Sequence, residues 1–196
     1  MQLNYFNRPY FENGAINKIS EVLSTHEIKI PLICSDPGLS SIGMTDKIKS
    51  LMPNDTSVSF YGETPANPTE KAVNDALELY KKNGCDGVIG FGGGSSMDLA
   101  KAVALMANHE GELINYSVNE GGYEKITETM PMIAIPTTAG TGSDTGRASA
   151  LINRKTGVKK IIFHPKFLPS IVILDPVLTI DLSPRLTAAT GMDALA

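Results

Sequence analysis

A chain of 196 residues, 42% apolar, with 17 basic and 21 acidic side chains, is long enough to bury one sizeable core and carries no dominant charge. The formal charge of −4 is spread along the chain with no Lys/Arg cluster dense enough to follow a phosphate backbone, which argues against nucleic acid as a partner. No apolar run approaches the roughly 18 residues of a membrane-spanning helix, and the N-terminal MQLNYFNRPYF lacks the basic start and apolar middle of a signal peptide, so no membrane partner and a cytoplasmic location are expected.

In chain order, INKISEVLS (16–24) has the spacing of an amphipathic helix, and KIPLICSD (29–36) is a short apolar strand ending in polar residues. Residues 39–52 read as helix, and TSVSFYG (56–62) alternates as a strand. In ANPTEKAVNDALELYKK, Asn67 is placed as an N-cap, Pro68 suits the first helical position, and Glu70 completes a capping arrangement three residues on. CDGVIGF (85–91) reads as a buried strand, DLAKAVALMAN (98–108) as a helix and PMIAIPTT (131–138) as another buried strand. Five or more strands alternating with helices predict a doubly wound parallel α/β sheet. Cys34 and Cys85 lie far apart within apolar segments, with neither metal nor CxxC spacing, and read as small buried side chains in a reducing compartment.

Beyond Thr138 the grammar changes. TTAGTGSDTG is loop chemistry, and RASALINRKTGVKKIIFH reads as a β-hairpin turning at Lys155-Thr156-Gly157. SIVILDP (170–176) resumes a buried strand, and Ser183-Pro184 is the cap and first position of a last helix, LTAATGMDALA. That helix shows no capping glycine or closing polar residue at 196, so it reads as cut rather than finished. The expected division is a domain over 1–182 and the start of a second over 183–196.

The stretch GFGGGSSMDLAK (90–101) sets glycines between a strand and a helix start, the arrangement in which main-chain N–H groups and the helix dipole face an anion such as a pyrophosphate. A competing reading makes Ser95 and Asp98 a capping pair with no ligand. The simple dinucleotide fingerprint fails, because its sixth position is Ser95 and no suitable acid follows about 20 residues later. An acid precedes it instead: Asp36, at the end of the strand KIPLICS, stands where an acceptor for a ribose hydroxyl would sit, or else it belongs to a turn with Pro37-Gly38. A second loop, PTTAGTGSD (136–144), adds hydroxyls and glycines after another strand, and two such loops converge on one crevice of an open sheet.

GFGGGSSMDLAK, IPTTAGTGSD, HPKFLPSIVILDP and AATGMDALA, in this order and spacing, resemble the N-terminal part of the iron-containing (group III) alcohol dehydrogenases, from about Leu32 to Ala196. The resemblance implies a Rossmann-like doubly wound parallel sheet with a β-hairpin, followed by the first helix of an otherwise absent all-helical metal domain. It implies hydride transfer between NAD and a small primary alcohol or aldehyde, with iron or zinc (Fe2+ or Zn2+) between the domains, in a homo-oligomer. Carried over by position, Gly94, Ser95 and Asp98 line the pyrophosphate site and Gly92 and Gly93 shape it. Asp36 meets the adenosine ribose, which favours NAD over NADP, Asn67 lies near the cofactor, Thr137 and Thr138 flank the dinucleotide, Lys159 contacts it, and Asp193 is the first metal ligand. The sequence departs from the family at Asp144, where a glutamate is usual, and at position 197, where the first of three histidine ligands is due. His26, His109 and His164 read as surface or capping residues and do not replace it. A free-standing nucleotide-binding module, or a relative built alike such as a glycerol dehydrogenase, maleylacetate reductase or dehydroquinate synthase, are the alternatives.

Overall fold

The computed structural model describes residues 7–153 and 155–196. Its strands are β1 (Arg8–Phe11), β2 (Pro31–Cys34), β3 (Ser59–Tyr61), β4 (Gly87–Gly92), β5 (Met132–Pro136), β6 (Ala148–Ile152), β7 (Lys159–Phe163) and β8 (Ile171–Leu174). Six of them form one sheet in the order β1-β8-β5-β4-β2-β3, and every pairing in it is parallel. The central strands β2, β4 and β5 are buried at every position, which is why they read as unbroken apolar runs rather than alternating ones. Successive residues of these strands nonetheless part company by the period of two. Leu32, Val88, Met132, Ala134 and Val172 join a core with α4 (Glu70–Lys82) and α5 (Gly94–Met106). Ile33, Ile89, Phe91, Ile133, Ile135 and Ile173 join a second core, on the opposite face, with α1 (Ile19–Thr25) and α3 (Met44–Ser50). The result is the doubly wound three-layer α/β architecture. No helix among the described residues is long and apolar enough to cross a membrane.

The hairpin predicted from RASALINRKTGVKKIIFH is present as the antiparallel pair β6–β7. It lies over α5, which is therefore covered on its outer side as well and buries every residue from Ser96 to Met106 except Asp98. The last helix, α6 (Pro184–Leu195), starts where Ser183-Pro184 put it, with Ser183 Oγ accepting from the Leu186 N–H at 3.3 Å. It buries no residue, and Leu186, Met192 and Leu195 are exposed.

Two expectations need correction, and one strand has no counterpart in the sequence reading. The segment 39–52 is two helices, α2 (Pro37–Ser41) and α3, because Gly43 takes φ +75° between them and ends the first. The N-cap of α4 is Thr69, whose Oγ1 accepts from the Ala72 N–H at 3.2 Å, and Asn67 is an exposed loop residue. The cause is tertiary: the Pro68 carbonyl accepts the Ile152 N–H at 2.8 Å and Thr69 bridges Ile152, so residues 68–69 are held extended against β6 and cannot enter the helix. The first strand, RPYF, carries no periodic signal and is an edge strand created by its pairing with β8. The histidines hold scaffold positions. His109 Nδ1 lies 2.8 Å from the Leu105 carbonyl while Nε2 accepts from the Thr127 N–H at 3.2 Å, stapling the end of α5 to the following loop. His164 Nδ1 accepts from the Lys166 N–H.

Candidate functional site

From β2 the chain runs outward to β3 at the sheet edge and then returns to β4 on the other side. Successive connections there leave in opposite directions, so a crevice opens beyond the carboxyl ends of β2 and β4. The loop after β2 presents Asp36, which caps α2 by accepting from the Leu39 N–H at 3.1 Å. The loop after β4 is Gly92-Gly93-Gly94. Gly92 has φ +146°, a conformation closed to L side chains, and a Cβ there would lie 2.5 Å from Ser96 Oγ and 3.2 Å from Asp36 Oδ2. The carboxylate of Asp36 therefore rests against the bare backbone of Gly92.

Gly93 is the N-cap of α5 and no side chain among the described residues caps this helix, so the capping pair of Ser95 and Asp98 does not form and the first-turn N–H groups have no side-chain acceptor among the described residues. Ser95 Oγ donates to the Ala66 carbonyl at 2.5 Å, which spends its proton on the turn that carries Asn67. The third wall comes from the threonine loop after β5. The Thr137 N–H donates to the Gly92 carbonyl at 2.9 Å, tying that loop to the glycines. Thr138 Oγ1 and Thr64 Oγ1 are buried without a hydrogen-bond partner among the described residues, as is Ser35 Oγ at the end of β2. Asp36, Thr64, Gly93, Gly94, Thr138 and the α6 residue Thr190 line one cleft of about 600 Å³, within the usual range for small-molecule sites.

A second cavity, of about 390 Å³, lies on the other side of the α5 N-terminus and is lined by Gly94, Ser95, Asp98, Thr141 and Lys159. Asp98 is turned toward the threonine loop and the hairpin. Its Oδ1 accepts from Ser143 Oγ at 2.7 Å and its Oδ2 from the Ala150 N–H at 3.1 Å. Burial raises the Asp98 carboxyl above the ordinary aspartate range, opposed by those two hydrogen bonds and by Lys101 and Lys159.

The structure thus brings Asp36, Gly92, Gly93, Gly94, Ser95, Thr137 and Thr138 around one crevice, sets Asp98 and Lys159 in the adjoining cavity, and leaves Asn67 exposed beside it. A dinucleotide fits the residues present: an uncapped helix start faces the cleft, the bare backbone of Gly93 and Gly94 lines it, and two hydroxyls without a partner among the described residues line the same space. A transition metal does not fit them. Asp193 is exposed on α6, no group of three or more His, Cys, Asp or Glu among the described residues could hold an ion, and one carboxylate makes no such site. Sequence reasoning missed Thr64 and Ser35, which carry no motif, and Lys101, a single cation inside the apolar run LAKAVALMA that could have raised the question.

The family model for iron-containing alcohol dehydrogenase matches residues 7–176. The chain is 41% identical over 197 residues to 4-hydroxybutyrate dehydrogenase of Cupriavidus necator, covering 98% of this chain and 50% of the relative. It is 38% identical over 190 residues to 1,3-propanediol dehydrogenase of Citrobacter freundii, covering 95% and 48%. Among solved structures, that of a 1,3-propanediol oxidoreductase superposes with a TM-score of 0.91 at 35% identity, covering 100% of this chain and 51% of the other. Sulfoacetaldehyde reductase from Bifidobacterium kashiwanohense in complex with NAD+ superposes with a TM-score of 0.88 at 31% identity, covering 98% and 51%. The chain spans about half the length of these relatives. By sequence and by fold, it belongs to the iron-containing alcohol dehydrogenase family.

Proposed function

We propose that this chain is the dinucleotide-binding part of an NAD-dependent, metal-dependent alcohol dehydrogenase acting on a small primary alcohol or its aldehyde. The observation that carries the reading is the switch-point crevice, where the Asp36 carboxylate abuts Gly92 and the uncapped start of α5 opens beside it. Bound there, NAD supplies the hydride-accepting nicotinamide. The protein's part is to bind and orient. The first-turn N–H groups of α5 hold the pyrophosphate, which Gly93 and Gly94 let approach the main chain. Asp36 accepts from an adenosine ribose hydroxyl and repels a 2′-phosphate. Thr138 Oγ1, without a partner among the described residues, would supply a hydroxyl to the dinucleotide, and Lys159, which lines the second cavity, would offer it a cation.

Residues 183–196 are proposed as the beginning of a separate, helical unit, with Asp193 as the one metal ligand this stretch contributes. The alcohol as substrate class is supported by the relatives, which include a 4-hydroxybutyrate and a 1,3-propanediol dehydrogenase. Titration of the chain with NADH and NADPH, followed by nucleotide fluorescence, tests the reading. Saturable binding of NADH, tighter than that of NADPH, is expected; equal or absent binding of both refutes it.

A further inference from the structure

Asp98 and Lys101 lie three residues apart on α5 and so share one face of the helix. Lys101 is 1% exposed. Its Nζ sits 2.6 Å from the Ser143 carbonyl, 2.9 Å from that of Gly146, 3.0 Å from that of Ala148 and 3.1 Å from Ser143 Oγ. The same Ser143 hydroxyl donates to Asp98 Oδ1, Asp98 Oδ2 takes the Ala150 N–H, and Ser149 Oγ donates to the Asp98 carbonyl at 2.7 Å. These links fasten the end of the threonine loop and the whole start of β6 to a single turn of α5. An ammonium has three N–H donors and no lone pair, which matches three carbonyls pointing at one spot. Without a cation between them those carbonyl dipoles would repel, and each would lose this partner in a buried or partly buried setting.

Lys101 lines neither the cleft nor the cavity beside it. We propose that Lys101, acting with Asp98, is the positioning residue of the dinucleotide site: it gathers the carbonyls of residues 143–148 so that Thr141 and, through the hairpin, Lys159 face the start of α5. The inference rests on the dinucleotide reading above. Without the clamp the threonine loop and β6 lose their common anchor, and the wall of the site opposite Gly94 is no longer held.

The ionisation of Lys101 offers a readout that a purely structural lysine would not share. Burial lowers its ammonium to about 8, while Asp98 on its own helix and Asp144 on the threonine loop favour the charge. Lys159 faces Asp98 from β7, and Lys166 shares with Lys101 a small cavity on the far side. Because the folded value lies below the ordinary 10.5, the folded chain releases this proton first, and the contribution of Lys101 to stability rises with pH between about 8 and 10.5. Cofactor affinity moves the opposite way, since the neutral amine lets go of one carbonyl and loosens the loop.

The test is NADH titration with parallel thermal melts on the wild type and Lys101→Met, from about pH 7 to about pH 9.5. We expect wild-type affinity to fall about tenfold across this range without loss of stability, and Lys101→Met to bind about tenfold more weakly at pH 7 with a flat profile. Lys159→Gln, which removes the other nearby cation, keeps the wild-type slope. A folded Lys101→Met that binds NADH as the wild type does overturns the proposal. Should that variant not fold, Ser143→Ala, which removes one anchor of the clamp and leaves Lys101 in place, decides, and NADH affinity within about twofold of the wild type at pH 7 overturns the proposal equally. A wild type that does not bind NADH at pH 7 refutes the dinucleotide reading instead, and the positioning role falls with it.

Discussion

Replacing Gly94 by valine probes the anion cradle with little disturbance of the fold. Gly94 is the first residue of α5 and has no positive φ, so a side chain is conformationally allowed. A Cβ would stand 3.2 Å from Thr141 Cβ and 3.3 Å from its Cγ2 and Oγ1, a tight contact, yet Thr141 is exposed and free to move by the few tenths of an ångström required. Removing glycine from a helix gains up to about 1 kcal/mol of backbone entropy, which offsets much of that push. Net stability should therefore change by no more than about 1 kcal/mol. The two further methyl groups of valine project into the cleft at the helix start, where a phosphate oxygen must approach the N–H groups. Hydrogen bonds to a charged acceptor contribute about 1.5–3 kcal/mol each, so losing one raises the NADH dissociation constant about 10- to 150-fold. Fluorescence titration with NADH and a thermal melt on the same sample give both numbers. A variant that melts like the wild type and binds NADH within about twofold of it would show that the anion does not sit at this helix start.

Asp36→Asn keeps the cap on α2, because the amide oxygen still accepts from Leu39, and removes only the charge; NADPH affinity should rise toward that of NADH, measured by paired titrations. Thr69→Ala should cost about 1 kcal/mol in denaturant unfolding, whereas Asn67→Ala should cost under about 0.5 kcal/mol, the reverse of what a cap at Asn67 would give. At Gly140, with φ +147° and room for a Cβ only 1.7 Å from the Thr190 carbonyl, alanine should force α6 away from the threonine loop, costing about 1–3 kcal/mol of strain and raising hydrogen exchange across α6. Zinc or iron titrated into the 196-residue chain should bind weakly, with no difference between wild type and Asp193→Asn beyond the loss of one carboxylate, as read by calorimetry.

Much of this architecture was legible in the amino-acid sequence because its signals are local. The apolar runs of β2, β4 and β5, the Ser183-Pro184 helix start and the turn at Lys155-Thr156-Gly157 each follow from side-chain period or backbone preference within a few residues. The positions of the glycine stretch between β4 and α5 and of Asp36 after β2 were legible too, since each follows directly from a strand end and a helix start in the sequence. What only the tertiary structure decided are features whose partners lie far along the chain. RPYF becomes a strand because β8, more than 160 residues later, supplies its hydrogen bonds. Thr69 displaces Asn67 as a cap because Ile152 holds Pro68 extended. Asp98 finds the partners of its carboxylate in Ser143 and Ala150, and Lys101, one cation in an apolar helix, finds its carbonyls 42 to 47 residues away. Local sequence carries the energetics of caps, turns and periodicity, whereas burial of a charge or an edge is settled by whatever the folded chain brings to it.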